Sequence, residues 1–202
     1  MPHRRPLRAF FERDSVIVAR ELLGYTLVRV KDGRRLSGVI VEVEAYRGST
    51  DPASHAYRGR SPRNAVMFGE GGHAYVYFVY GFHNCLNFTT EKENVPGAVL
   101  IRALEPREGV EEMMKGRRVR RLEDLANGPG KLTAAMGIDR GFNGEDLLKS
   151  ERLFVEEGLR PKRVQRSARV GIMVGTDRPW RFFVAESGYV SRGKPSSPSQ
   201  NP

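Results

Sequence analysis

The sequence predicts an α+β fold, a single domain built around an antiparallel β-sheet. Three observations carry that expectation. Residues alternate in character over Ser37–Tyr46. An aromatic and β-branched run, Ala74–Tyr80, turns back at once into a second run, Cys85–Thr90. Helical apolar spacing is confined to short stretches, at residues 18–23 and at Leu132, Ala135 and Met136. At 202 residues the chain can bury a real core as one domain.

Taken in order, residues 1–9 are basic and Pro-containing and read as a loose tail. Asp14 or Ser15 supplies a helix N-cap, Val18, Ala19, Leu22 and Leu23 form one apolar stripe, and Gly24 can end the helix. Tyr25–Val30 reads as a strand. Asp32-Gly33 is a hairpin turn signal, and Ser37–Tyr46 returns with Val39, Val41 and Val43 on one face and Ile40, Glu42 and Glu44 on the other. Residues 47–73 show no period, and a loop of that length is usually functional or disordered. Ala98–Leu104 completes the sheet read from residues 25–104. Acidic residues at 108, 111 and 112 followed by basic ones at 115, 117, 118, 120 and 121 suit a helix dipole. Asn127-Gly-Pro-Gly-Lys131 resembles a helix entry, Phe182–Ala185 a late strand, and residues 191–202 a frayed Ser/Pro-rich tail. The domain proper is thus expected at 10–190.

Composition narrows the function classes. The hydrophobic fraction is 39%, too high for a disordered chain. No apolar run approaches the roughly 20 residues of a membrane span, and no secretory signal is expected at the basic N-terminus. A single cysteine, Cys85, excludes an internal disulfide framework and a multi-Cys zinc site, which suits a reducing compartment. The net charge of +10 serves either solubility or a polyanionic partner.

Several residues invite chemistry. Glu42 and Glu44, two apart on a strand, project from one face. Either that face is wet or ion-paired, or one Glu is a buried general base with Arg102 as its cationic partner. Tyr46, Tyr57, Tyr75, Tyr77 and Tyr80 crowd 35 positions, with Tyr80 near a hairpin tip, where an aromatic can pack on its hairpin or wedge between bases. His55 follows Asp51 by four positions without further ligands at useful spacing, so no metal site is expected. Cys85 reads as a buried structural thiol. The 127–131 segment lacks the Walker frame, although its backbone N–H groups could face a phosphate.

The strings GVIVEVEAYRGSTDPASHAYRGRSPRNAVMF, AYVYFVYGFHNCLNF, GAVLIRALEP, NGPGKL and SARVG occur in that order. Over about Arg20–Ser191 the chain resembles the alkyladenine (3-methyladenine) DNA glycosylase family, the type without a helix-hairpin-helix. The resemblance implies a curved antiparallel sheet flanked by helices with a protruding β-hairpin. It implies hydrolysis of the bond between a damaged purine and deoxyribose in duplex DNA, without cofactor or metal. In the roles so carried over, Glu44 activates water, Arg102 helps hold that water and keeps Glu44 ionised, and the Val170 carbonyl contacts it. Tyr46 stacks on one side of a flipped base, and His55 and Tyr77 close the other. Asn87 disfavours a guanine amino group, and Tyr80 is the wedge left in the duplex. Glu42 is then the structural acid. Arg63, Asn64, Gly128 and Lys131 are candidate contacts to the DNA backbone. The hairpin departs from the family pattern at Gly81-Phe82-His83-Asn84. A monomer is expected, at a cytoplasmic or nucleoid-associated location (nuclear in a eukaryote). The rival readings are a non-catalytic nucleic-acid-binding domain and a nucleoside N-glycoside hydrolase.

Overall fold

A computed structural model of the chain describes residues 4–79, 81 and 83–196. Eight antiparallel strands make one curled sheet: β1 (Thr26–Lys31), β2 (Arg34–Tyr46), β3 (Ala74–Val79), β4 (His83–Thr90), β5 (Gly97–Pro106), β6 (Leu153–Glu156), β7 (Val164–Ser167) and β8 (Arg181–Val184). The main path runs β3-β4-β5-β2-β1-β6. The long strand β2 is its spine. β5 covers one edge of β2, while β1 pairs residues 34–39 on the other edge and β8 takes over at 42–44. Among the described residues, four α-helices flank the sheet: α1 (Arg8–Phe11), α2 (Ser15–Leu22), α3 (Val110–Gly116) and α4 (Pro129–Met136).

Local chemistry explains the boundaries. Asp14 caps α2, its carboxylate accepting the N–H groups of Val16 and Ile17. Asp32 and Gly33 both take positive φ, as the tight β1–β2 turn requires. Gly137, also left-handed, closes α4. The charge run is helical only over α3. Beyond Gly116 the chain is extended, and Arg117 folds back to donate to the carbonyls of Asp124 and Leu125. The strands β6 and β7 were not expected from the sequence.

The main core fills the space between one sheet face and α2 and α4, through Leu22, Ile40, Val43, Ala45, Leu86, Phe88, Ile101, Leu132 and Met136. Strict alternation would place Ile40 with Glu42 and Glu44, away from Val43. Register irregularities at Ile40/Glu42 and Glu42/Val43 correct that expectation. Because a bulge shifts side-chain parity by one residue, Ile40, Val43 and Ala45 all enter the core and both glutamates face the opposite side.

Two expected tails are held on the body as far as they are described. In the first, Arg5 donates to the carbonyls of Leu148 and Ser150, Arg8 pairs with Asp146, and the Arg4 carbonyl accepts from Glu157 N–H. In the second, Ser191 N–H donates to Glu42, and Ser196 N–H donates to the Arg169 carbonyl. Both segments read as loose because their tethers run to partners distant in sequence.

Candidate active site

The non-core face of the sheet carries the site, and strand register assembles it. Tyr75 pairs with Asn87, Asn87 with Leu100, Leu100 with Glu44, and Glu44 with Arg181, a row that crosses five strands. One step along, Tyr46 faces Ala98 and Tyr77 faces Cys85. Arg102 falls where Glu42 pairs with Ala103 and Val43 with Ile101, so the irregularity steps over it. A bulge re-aims a side chain in this way.

The aperiodic segment 47–73 folds over this face. Ala56 and Met67 pack on Tyr75 and Ala98 in a second small core. Asp51 accepts from the N–H groups of Arg47 and Ala53. Asn64 is buried and its amide donors are both used: they bond the carbonyls of His55 and Gly59, and its oxygen accepts from Ser61 N–H. The expected Asn64 contact to DNA phosphate therefore gives way to a loop-bracing role.

Between the segment and the sheet lies a cavity of about 690 Å³, lined by residues that include Tyr46, His55, Arg63, Tyr77, Asn87, Arg102 and Val170. Pockets for small ligands are commonly of this size. His55 Nδ1 lies 2.8 Å from the Tyr75 hydroxyl, and its ring meets Tyr77 edge-on with centroids 4.5 Å apart. Burial of the ring and the nearby Arg63 cation push His55 down to about 4, so it is neutral at physiological pH. Burial pushes the Tyr75 phenol up to about 12. The Arg63 guanidinium sits 5.4 Å from the centre of the Tyr77 ring. Asn87 donates to the Tyr75 carbonyl.

At the floor, Glu44 is fully buried, and its partners Tyr46, Arg102 and Val170 all line the cavity. Val170 N–H donates to Glu44 Oε1 at 2.7 Å, the Tyr46 hydroxyl donates to Oε2 at 2.9 Å, and Arg102 Nη1 lies 3.3 Å from Oε1. Burial and the Glu44 carboxylate hold the Tyr46 phenol well above its ordinary value, so it remains a donor.

Glu42, also fully buried, is the more heavily bonded acid. Its Oε1 accepts from Arg102 Nε at 2.8 Å, Arg181 Nε at 2.7 Å and Ser191 Oγ at 2.8 Å, and its Oε2 accepts from Ser191 N–H at 2.6 Å. Burial alone would raise its pKa, but Arg102, Arg181 and the Ser191 N–H together hold it below the ordinary value. A carboxyl held low in the folded chain adds stability that is present above its unfolded pKa and lost as pH falls through the folded one. Glu42→Gln is therefore expected to cost about 1–3 kcal/mol near neutral pH. That cost should begin to shrink as pH falls below the ordinary carboxylate value of about 4.3 and vanish only once pH has passed below the lowered native value, where the native carboxyl is protonated too. Urea midpoints of both proteins across this range check the expectation, and a gap that widens on acidification contradicts it.

Arg169 and Asp51 form a further buried pair, both fully buried. Arg169 Nη2 lies 2.8 Å from Asp51 Oδ1, Nη1 bonds Oδ2 and the Ala45 carbonyl, and the guanidinium stacks 4.6 Å from the Tyr46 ring centre. Asp51 is thus engaged by an arginine. Sequence reasoning did not single out Arg169, Arg181 or Ser191, whose partners lie more than a hundred residues away. Cys85 is buried beside the cavity, and burial raises its thiol pKa.

The remaining candidates lie at the margin. Gly128 is the buried N-cap position of α4, and Lys131 Nζ is tied inward to Asn127 Oδ1 at 2.7 Å. Gly130 abuts His83, so α4 braces the β3–β4 hairpin. Tyr80, expected as the wedge, lies outside the described residues.

Residues 9–188 match the family model for methylpurine-DNA glycosylase. A relative from Methanocella arvoryzae is 49% identical over 192 residues, covering 93% of this chain and 96% of the relative. One from Desulfitobacterium hafniense is 47% identical, covering 91% and 97%, and one from Prosthecochloris aestuarii is 46% identical, covering 97% and 95%. All three carry the name "Putative 3-methyladenine DNA glycosylase". Matched over nearly its whole length, with the site strings in place, this chain belongs to the methylpurine-DNA glycosylase family.

Proposed function

We propose that this chain, acting through residues 10–190, removes alkylated and related damaged purines from duplex DNA by hydrolysing the N-glycosidic bond. Water activated by Glu44 is the nucleophile. The observation that carries the reading is the buried Glu44 carboxylate beneath an aromatic cavity, oriented by Val170 N–H, the Tyr46 hydroxyl and Arg102. A carboxylate offers about four lone-pair sites. The contacts above leave one on Oε2 open to accept a proton from water.

The chemistry asks for little more. Breaking an N-glycosidic bond builds oxocarbenium character on the sugar. It needs a placed water, a base for that water and a leaving group that departs readily. Cationic alkylpurines already leave well. The target base must first leave the stack, at a cost of a few kcal/mol. Stacking returns roughly 1–3 kcal/mol per base. Tyr46 on one side and His55 with Tyr77 on the other supply that stacking, while Tyr80, the next residue in sequence after β3, fills the gap left in the duplex. A neutral His55 suits this role, because a cationic ring would repel a cationic purine. Asn87 screens the purine edge, and Arg63 and Lys131, once Lys131 swings off Asn127, contact the backbone. The excess positive charge confers a steep salt dependence.

The test is a panel of duplexes, each with one defined lesion (3-methyladenine, 7-methylguanine, hypoxanthine or ethenoadenine), assayed for free-base release with and without EDTA. Release that persists in chelator and is absent with free nucleosides is the expected result. Binding to lesion duplex without base release from any of them would contradict the proposal.

A further inference from the structure

The segment Ser191–Ser196 makes contacts that its composition does not foretell. Ser191 donates twice to Glu42, through N–H and Oγ, and its Oγ also lies 3.4 Å from Arg102 Nη2. At the other end, Ser196 N–H donates to the Arg169 carbonyl, and Ser196 Oγ accepts from Ile172 N–H. Between them, Gly193 presses on the site: a Cβ there would lie 2.7 Å from Val170 Cγ1 and 3.4 Å from Arg102 Nη2. The segment thus touches both groups that flank Glu44, Arg102 on β5 and the 169–172 loop that presents Val170 N–H. It also begins beyond residues 9–188, the span matched by the family model.

We propose that residues 191–196 form a strap that positions the Glu44 environment, with Ser191 and Gly193 as positioning residues. Ser191 fixes the Glu42 carboxylate, which fixes the Arg102 guanidinium, which sits against Glu44. Gly193 lets the strap lie flat on Val170 and sets the reach of its N–H. The strap acts on the placement of the water and not on the hold on DNA, since its contacts are to the groups beneath the cavity. Displacements of an ångström at a reacting centre can cost on the order of 100-fold in rate, so a modest shift of Arg102 or Val170 registers in the chemical step. The proposal rests on Glu44 acting as base in glycosylase chemistry.

The experiment uses the full chain with Ser191→Ala, Ser191→Thr and Gly193→Ala. Single-turnover base release from dimethyl-sulfate-treated DNA is measured with enzyme in excess, alongside Kd for a duplex bearing an uncleavable 2′-fluoro lesion nucleotide. Ser191→Ala and Gly193→Ala are expected to lower the single-turnover rate about tenfold or more, with Kd changed less than about threefold, and Ser191→Thr to restore most of the rate by returning the hydroxyl. If Gly193→Ala fails to fold, Ser196→Ala takes its place, because it removes only the bond to Ile172 N–H. Full release by the native chain and by every variant overturns the strap alone. A rate loss matched by an equal loss of binding, or one that Ser191→Thr does not relieve, also overturns it. No release by the native chain overturns the functional reading, and the strap's role with it.

Discussion

Arg169→Met is expected to lower the unfolding free energy by about 3–5 kcal/mol, the usual consequence of removing one partner of a buried ion pair. The native guanidinium is fully buried, grips both Asp51 oxygens and the Ala45 carbonyl, and lies 4.6 Å from the Tyr46 ring centre and 5.3 Å from that of Trp180. Removing it leaves the fully buried Asp51, at the root of the segment that carries His55, with only Arg178 at 3.8 Å and the N–H groups of Arg47 and Ala53 among the described residues. Replacing both partners together, as Arg169→Met with Asp51→Asn, leaves no unpaired charge and is expected to cost less than the arginine change alone. Urea unfolding of the two single variants and the double variant measures the coupling. A loss under about 1 kcal/mol for Arg169→Met would show that the pair contributes little.

Glu44→Gln is expected to abolish most of the chemistry while sparing the fold. Glutamine matches glutamate in size, and Arg102 keeps its bond to Glu42, so no arginine is left buried without a carboxylate. What disappears is the group that takes the proton from water. General-base catalysis contributes about 10²–10⁴-fold, equivalent to about 3–5 kcal/mol of transition-state stabilisation. Recognition of the lesion should survive, because Glu44 lies behind Tyr46, Arg102 and Val170, which themselves line the cavity.

Much of the sheet was legible because its signals are local. The Asp32-Gly33 turn, the alternation in β2 and the paired runs of β3 (Ala74–Val79) and β4 (His83–Thr90) are each contained in one short stretch of chain. Four-residue β6 and β7 are too short for a period, and β7 (Val164-Gln-Arg-Ser) carries one apolar residue. The β2 bulge was invisible because alternation read along one strand cannot reveal a shift in pairing with another. The site divides in the same way. Glu42 and Glu44 were found as a same-face pair, and Arg102 as a cation on a neighbouring strand. The assignment of individual roles came from resemblance. Arg169, Arg181 and Ser191 escaped notice because each is defined by a partner more than a hundred positions away, and Ser191 opens a stretch whose Ser, Pro and Gly content mimics a frayed end. Asn64 shows the reverse: a polar residue in a basic loop reads as a possible contact to DNA, yet both its amide N–H groups are spent inside the loop.

The most direct measurement is the single-turnover rate of methylated-purine release by Glu44→Gln at saturating enzyme, taken beside its affinity for a lesion duplex. A rate at least about 100-fold below that of the native chain, with affinity nearly unchanged, is the result that a water-activating carboxylate at this position requires. A rate within a few-fold of native would mean that the proton leaves by another route and that the buried carboxylate serves only to hold the cleft together.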